Sequence, residues 1–248
     1  MKILALDTAT ENCSAALLID TIVQTREVET ERGHADRILT MVDELLEKAG
    51  ITLHDLNAIA FGRGPGSFTG VRLGTTVTQG LAFGAGLGVV PVSDLQAVAQ
   101  RALDEDPTRT RILVCNDARM VEVYWACYER GGDGLASLTG EEHVTKPSEV
   151  KLPPSWPTAT PAGRGFIAYA DALRAALPNV LIPATTAPIL TATPNAPHYL
   201  PRATEIARLA APAVRAGRLL PPEEALPVYL RDNVVHVAQP PKTPTQGS

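Results

Sequence analysis

The fold of this chain is decided by one glycine-rich stretch, Gly62-Arg63-Gly64-Pro65-Gly66-Ser67-Phe68-Thr69-Gly70-Val71-Arg72. It follows an apolar run at 56–61 and precedes a helical pattern at 70–83, so we predict that it joins a strand to a helix. Glycine reaches positive φ without strain, and Ser67 or Thr69 is a suitable N-cap for the helix. A strand, such a turn and a helix N-terminus form a candidate phosphate cradle. A tight turn packed against neighbouring backbone is the alternative, because the P-loop lysine and the dinucleotide spacing are both missing.

A carboxylate stands at the end of the first predicted strand, at residues 3–6. The stretch Asp7-Thr8-Ala9-Thr10-Glu11-Asn12 then turns the chain into strands at 14–19 and 21–28. This beginning resembles that of actin-like ATPase folds, in which the carboxylate and nearby hydroxyls face phosphate and magnesium. An Asx-turn, in which Asp7 caps its own loop, is the alternative. The candidate phosphate-facing residues are Asp7, Thr8, Thr10, Gly64, Gly66 and Ser67.

Two predicted helices carry more apolar or small side chains than one sheet face needs. The first, His34–Ala49, has one apolar stripe, and Gly50 ends it in the left-handed conformation. The second, at 70–83, has a row of small residues that would let another helix approach closely; internal packing of this row is the alternative. The apolar residues outside the first stripe are Leu39, Met41 and Leu46, and the small row is Gly70, Gly74 and Thr78.

A polar break at 104–108 predicts the boundary between two domains. Residues 1–103 form the first domain, joined by a late helix at 203–216, and residues 108–200 form a smaller second domain. The remaining elements are predicted as strands at 89–92, 111–115, 121–128 and 135–138 and helices at 94–103 and 167–177. Residues 238–248 are polar and contain proline, so we predict a disordered tail.

Composition limits the classes of partner and compartment. The formal charge of −5 and the pI near 5.6 argue against broad nonspecific binding of nucleic acid, which needs clustered Lys and Arg. Cys13, Cys115 and Cys127 each lie in an apolar run, which predicts buried free thiols in a reducing cytosol. We see no signal peptide and no run long enough to span a bilayer, so we expect a cytoplasmic protein without a membrane partner.

Five motifs, in the same order, resemble the TsaB (YeaZ) family. They are the opening at 3–14, the helix that begins at His34, the glycine-rich turn, the segment at 116–126 and the segment at 227–231. The resemblance is weak between 131 and 226. That family is the non-catalytic subunit of the bacterial machinery that installs threonylcarbamoyl groups on the adenosine beside the anticodon of tRNAs reading codons that begin with A.

The resemblance implies an α/β, actin-like (ASKHA) fold with two lobes, mixed sheets flanked by helices, and a reduced second lobe. It implies two protein partners, a TsaD-type catalytic subunit and a TsaE-type ATPase, with tRNA reached through the complex. ATP and metal are expected in the partner, and this chain is expected to hold no cofactor. The two helices are expected to meet the same pair of TsaD, or a second copy in a homodimer. The interface residues expected on this basis are His34, Ile38, Met41, Leu45, Gly70, Arg72, Leu73, Gly74, Val77 and Thr78.

Two departures from TsaD-like proteins favour a subunit with no catalytic residue of its own. TsaD-like proteins carry a His-x-x-x-His metal pair where this chain has Asp94 and Val98. Their second phosphate loop is replaced here by Asp117-Ala118-Arg119, which has a carboxylate and no glycine. We therefore predict no bound transition metal and no useful ATP hydrolysis by the chain alone. The alternatives are a weak nucleotide-binding ATPase and an inactive metallopeptidase-like homologue, although the chain has no His-Glu-x-x-His motif.

Overall fold

The computed structural model describes residues 1–182 and 199–231. In this part of the chain two mixed β-sheets are flanked by helices, which is the predicted actin-like arrangement of two lobes. The predicted disordered tail at 238–248 lies outside the described residues. Among those residues, none of the helices has the length and apolarity that a membrane span requires.

The first sheet positions the candidate site. Its strand order is β3-β2-β1-β4-β5, with β1, β2 and β3 antiparallel and β4 and β5 added in parallel. The strands are β1 (Lys2–Asp7), β2 (Asn12–Ile19), β3 (Ile22–Glu29), β4 (Ala58–Gly62) and β5 (Val89–Val92). Because β1 and β4 are parallel neighbours, their last residues, Asp7 and Gly62, reach the same edge of the sheet.

Three helices cover the first sheet. α1 (His34–Ala49) and α2 (Phe68–Ala85) pack on one face, and α6 (Ala203–Arg215) returns from the far end of the chain to cover the other. The predicted stripe of α1 is confirmed, since its members at 38, 42 and 45 are buried, and Gly50 is left-handed with φ 64°. Leu46 is also buried, so the prediction that it lies outside the packed surface is wrong.

The second sheet has the order β8-β7-β6-β9. α3 packs on one of its faces, and α4 and α5 pack on the other. The elements are β6 (Arg111–Asp117), β7 (Val123–Arg130), β8 (Ala136–Thr145), β9 (Thr160–Ala162), α3 (Asp94–Glu105), α4 (Gly165–Ala168) and α5 (Ala170–Ala176). All three cysteines are buried free thiols, as predicted.

Several predicted elements of the second lobe have different bounds in the structure, and two of them differ most. The strand predicted at 135–138 continues to Thr145, because the register of its pairing with β7 shifts between Trp125 and Cys127, with the extra residues on β8, and pairing resumes beyond the shift. The single helix predicted at 167–177 is two short helices. Tyr169 lies between them with φ −130° and ψ 34°, which is outside the helical region.

The row of small residues on α2 faces inward. Gly70, Gly74 and Thr78 are buried, and a Cβ at Gly74 would lie 2.9 Å from Thr8 Oγ1. The expectation that this row faces a partner helix is therefore wrong. The helix lies so close to the loop after β1 that only hydrogen fits at Gly74. The opposite side of α2 includes Gly80, which has no atom within 4 Å of a Cβ built there.

Gly74 and Gly80 give a matched pair of substitutions in one helix. Gly74→Ala should lower the free energy of unfolding by about 1–3 kcal/mol, because the new methyl group displaces Thr8. Gly80→Ala should raise it by up to about 1 kcal/mol, because alanine favours the helix and the site is open. Urea denaturation of both variants measures the difference. Equal effects would contradict the inward orientation of the row.

Candidate functional site

The glycine-rich turn packs against the backbone that follows β1. The Ser67 N–H donates to Ala9 O at 2.7 Å, and Ser67 Oγ caps α2 by accepting from Gly70 N at 3.1 Å. A Cβ at Gly66 would lie 2.5 Å from Ala9 O, and one at Gly64, whose φ is 98°, would lie 2.9 Å from Val228 O. These contacts support the alternative of a tight turn packed on neighbouring backbone.

The residues predicted to face a phosphate do come together, but several of their polar groups are bound to one another. Thr8 is buried, and its hydroxyl donates to Gly70 O at 2.7 Å. The carbonyl of Thr10 accepts from Nε2–H of His34 at 2.9 Å. Asp7 and Gly64 are also buried, so the prediction that Asp7, Thr8 and Gly64 line an open cradle is wrong.

A second carboxyl group, that of Asp94, lies against Asp7. Asp94 is the first residue of α3, follows the N-cap Ser93 and is fully buried. The Gly64 N–H donates to Asp94 Oδ2, and the Ala9 N–H donates to Asp7 Oδ1 at 2.8 Å. Within residues 1–182 and 199–231, the other oxygen of each group, Asp7 Oδ2 and Asp94 Oδ1, has no hydrogen-bond donor.

Burial dominates the electrostatics of this pair. It raises the pKa of Asp7 to about 6, because a buried carboxylate loses its hydration. Burial, followed by the charge of Asp7, raises the pKa of Asp94 well above its usual range. Gly62 leaves no spare room, since a Cβ there would lie 2.9 Å from Asp7 Oδ1 and would also contact Asp94 Oδ1.

Asp94 is the residue that sequence reasoning missed. We considered it only as the replacement for a metal-ligating histidine. A signal was available, because Asp94 follows a strand that is the parallel neighbour of β4, and parallel strands bring such residues to one edge of a sheet. The described residues contain no group of three or more His, Cys, Asp or Glu side chains that could hold a metal ion.

A polar network ties the turn to the second lobe. The carboxylate of Glu142 on β8 accepts from the hydroxyl of Ser93, from Tyr128 Oη at 3.1 Å and from Arg63 Nη2 at 3.1 Å. Burial, together with the Glu142 charge, raises the pKa of Tyr128, so the phenol stays protonated and donates. The same few residues at 63–64 and 93–94 therefore contact both lobes.

Residues 227–231, here called the C-terminal strap, cross between the lobes. The Val228 N–H donates to Arg63 O at 2.7 Å in the glycine-rich turn. At its other end Arg231 donates to Ala118 O at 3.1 Å and to the carboxylate of Glu122. Between them, the ring of Tyr229 lies 5.9 Å from that of Phe68. The strap therefore joins the glycine-rich turn to the loop between β6 and β7.

The loop between β6 and β7 contains the segment predicted as a lost phosphate loop. Asp117 Oδ1 accepts from Arg119 N at 2.8 Å and from the hydroxyl of Tyr169 at 2.9 Å. Arg119, Met120 and Val121 all have positive φ, between 55° and 61°. Val121 is therefore part of a tight turn, and the prediction that it begins a strand is wrong.

The expected interface residues divide into buried and accessible ones. The expectation that Ile38, Leu45, Gly70, Gly74 and Thr78 lie on a contact surface is wrong, because the first lobe buries their side chains or Cα atoms. Arg72 is exposed, and the others are half-buried, namely His34, Met41, Leu73 and Val77. The outer face of the two helices also presents Leu39, which we predicted to lie outside the packed stripe, and residues that we had not assigned to an interface, namely Thr76, Gly80, Phe83 and Gly84.

Comparisons with known proteins agree with this architecture. The family model described as TsaD, a tRNA N6-adenosine threonylcarbamoyltransferase, matches residues 27–239. The tRNA threonylcarbamoyladenosine biosynthesis protein TsaB of Escherichia coli K12 is 40% identical over 239 residues, which cover 94% of this chain and 96% of that protein. The chain belongs to the TsaB (YeaZ) family. The resemblance carried by the five motifs is thereby confirmed.

Other TsaB relatives give the same result. The TsaB protein of Haemophilus influenzae is 41% identical over 180 residues, covering 69% of this chain and 75% of that protein. Among solved structures, YeaZ from Pseudomonas aeruginosa superposes with a TM-score of 0.78 at 40% identity, covering 92% of this chain and 99% of its own. The two-lobed fold of the described residues is therefore that of this family.

The strap can be tested through Arg231. Arg231→Ala should lower the free energy of unfolding by about 1–3 kcal/mol, because Ala118 O and Glu122 lose a charged donor. It should also speed amide exchange at 118–122. Arg119→Ala is the matched control, since its side chain is 79% exposed and its ion pair among the described residues is with the nearby Asp117; we expect a change within about 0.5 kcal/mol. Identical behaviour of the two variants would show that the strap does not hold the loop.

Proposed function

We propose that this chain acts in the biosynthesis of tRNA threonylcarbamoyladenosine as a non-catalytic scaffold that binds and activates a TsaD-type catalytic subunit. The observation that carries the proposal is that polar groups at both candidate phosphate loops are hydrogen-bonded to other groups of the chain. In the first lobe Thr8 and Gly64 are bound within the fold, and in the second Asp117 is bound to Arg119 and Tyr169. The names of the relatives supply the pathway.

The proposal that this chain is not catalytic follows from what the binding of a nucleotide would require. A triphosphate requires free N–H donors or cations, and usually a metal ion held by oxygen ligands. The N–H of Gly64 is already bonded to Asp94, and an unpaired carboxylate nearby repels phosphate. The alternative of a weak nucleotide-binding ATPase therefore finds little support in the geometry of the turn, and the expectation of ATP and metal in the partner remains our proposal.

The contact surface that we propose is the outer face of α1 and α2, here called the helix face. Phe83 on α2 is 81% exposed and Leu39 on α1 is 46% exposed, which are large values for apolar side chains. Gly80 and Gly84 leave the surface of α2 open, with no atom within 4 Å of a Cβ built at either. Small residues of this kind let a partner helix approach closely.

We propose that the helix face binds the TsaD-type subunit, and a second copy of this chain when that subunit is absent. A surface that fits a structurally similar protein can fit its own copy around a two-fold axis. In this proposal a TsaE-type ATPase joins the same complex in the cytoplasm, and tRNA is bound through the complex. The formal charge of −5 is consistent with tRNA binding that depends mainly on a partner.

Variants of the helix face test the scaffold role. Gly80→Leu and Phe83→Glu should weaken both the homodimer and the complex with a TsaD-type subunit at least about tenfold, because each alters packing at the centre of a contact. Sedimentation velocity and nucleoside mass spectrometry of modified tRNA measure the two effects. The control is Leu138→Glu, which alters an exposed apolar residue of the second lobe. Unchanged assembly in both helix variants would exclude this face.

The predicted lack of metal binding and of ATP hydrolysis is tested on the isolated chain. We expect no stoichiometric transition metal by elemental analysis and no ATP turnover above background. Addition of TsaD-type and TsaE-type proteins with threonylcarbamoyl-adenylate should then give modified tRNA, and omission of this chain should abolish the product. Robust turnover by the chain alone would overturn the scaffold proposal, whereas a bound metal lost on mutation of His34 or His143 would reveal a ligand set that we missed.

A further inference from the structure

The proposed scaffold function leaves the buried carboxyl groups of Asp7 and Asp94 without a role. We propose that these two groups share a single proton in the folded protein, and that loss of this proton as the pH rises loosens the junction between the glycine-rich turn and α3. The pair is thus a pH-sensitive device within the fold. This inference is independent of the proposed function, because it concerns only residues inside the chain.

The hydrogen-bond donors around the pair support a shared proton. Asp7 Oδ1 and Asp94 Oδ2 each accept a backbone N–H, from Ala9 and Gly64. Asp7 Oδ2 and Asp94 Oδ1 are buried and have no donor within the described residues. Two ionised carboxylates can only accept, so they would leave both oxygens unsatisfied and would repel each other. One proton between the two groups supplies the missing donor and removes one of the two charges.

The surroundings offer weak compensation for a second negative charge. From the glycine-rich turn, Arg63 favours ionisation of Asp94, but its guanidinium also binds Glu142. From β2, Cys13 faces Asp7; burial and then the Asp7 charge raise the thiol pKa to about 11, so it stays neutral. Beyond Ser93 lie Glu142 and the phenol of Tyr128, of which the first is acidic and the second neutral. Burial therefore outweighs the attraction of Arg63.

The position of the pair couples proton loss to the lobe junction. Asp7 ends β1, Asp94 begins α3, and Gly62 packs against both carboxyl groups, so two negative charges could separate only if the turn or the helix moved. Ser93, directly before Asp94, bonds to Glu142 of the second lobe. Movement of the first turn of α3 would therefore disturb the contact between the lobes.

The sign of the pH effect follows from the direction of the pKa shifts. Both pKa values are raised in the folded protein, and that of Asp7 is raised to about 6. The stabilising contribution of the bound proton is complete below the ordinary carboxyl pKa, and it is lost as the pH rises through the folded values. The pair therefore contributes stability near pH 4 that declines through about pH 6 and above.

The direct test is a titration of aspartate carboxyl groups by ¹³C NMR on the full chain. We expect one carboxyl of the pair to keep its proton to about pH 6 or higher, and Asp94→Asn to leave a single raised titration, that of the buried Asp7. If both groups titrate in the ordinary range, near pH 4, the proposal is overturned. The titration of the parent protein alone decides this point, so the test does not depend on whether a variant folds.

The variant Asp94→Asn tests the same proton through its effect on the stability of the protein. Its amide Nδ2–H₂ can donate permanently to Asp7 while its oxygen accepts from Gly64, which mimics the protonated pair. The melting temperature of this variant relative to the parent should therefore rise with pH between 5 and 8, whereas Asp43→Asn on the exposed side of α1 should show no such trend. Parallel pH profiles for the parent and Asp94→Asn would contradict the shared proton. Asp7→Asn is the reciprocal variant and should behave like Asp94→Asn.

Discussion

The rest of the structure depends on the close approach of the glycine-rich turn to the loop that follows β1. The two segments are brought together because β1 and β4 are parallel neighbours whose ends lie at one edge of the first sheet. At Gly66 and Gly70 a Cβ would come within 3 Å of the carbonyl oxygens of Ala9 and Thr8, so side chains are excluded by contact with backbone and not by turn geometry alone. This approach fixes where α2 begins and how it lies on the sheet.

One consequence is that the polar groups at the end of the sheet are directed inward. The hydroxyl of Thr8, the N–H of Gly64 and one oxygen of each carboxyl group beneath them are hydrogen-bonded within the fold. Further ties hold the lobes together at separate places, including Arg63 with Glu142 and Arg164 with Glu29 at 2.6 Å. A molecule whose interior contacts are satisfied in this way is suited to present a fixed outer surface, because little of its contact geometry has to be ordered on binding.

The sequence predicted what local pattern controls and failed where tertiary packing decides. The stripe of α1, its glycine C-cap and the Ser93 cap of α3 follow from spacing and backbone chemistry, and the structure confirms them. The orientation of α2 could not be predicted in the same way, because it carries small residues four apart on two sides. The inner row begins at Gly70 and the outer one contains Gly80 and Gly84, so only packing distinguishes them.

Contacts between residues far apart in the chain could not be predicted from the sequence either. Asp7 and Asp94 lie far apart in the chain, and a buried carboxyl pair has no periodic signature; only the parallel order of the strands brings them together. The C-terminal strap has too few residues to show a pattern, although it matched a family motif. The register shift between β7 and β8 depends on how the two strands pair, which is why the length of β8 was underestimated.

Both helices of the proposed contact face are anchored to the same short loop. The hydroxyl of Thr8 bonds to Gly70 in the first turn of α2, and the carbonyl of Thr10 bonds to His34 at the first position of α1. Thr8 and Thr10 are two residues apart in sequence. Their hydrogen bonds therefore fix the relative position of the two helix N-termini through one short piece of backbone. The carboxyl of Asp7 adjoins that piece and holds the Ala9 N–H. This loop therefore has the geometry to align the helix face that we propose as the contact surface.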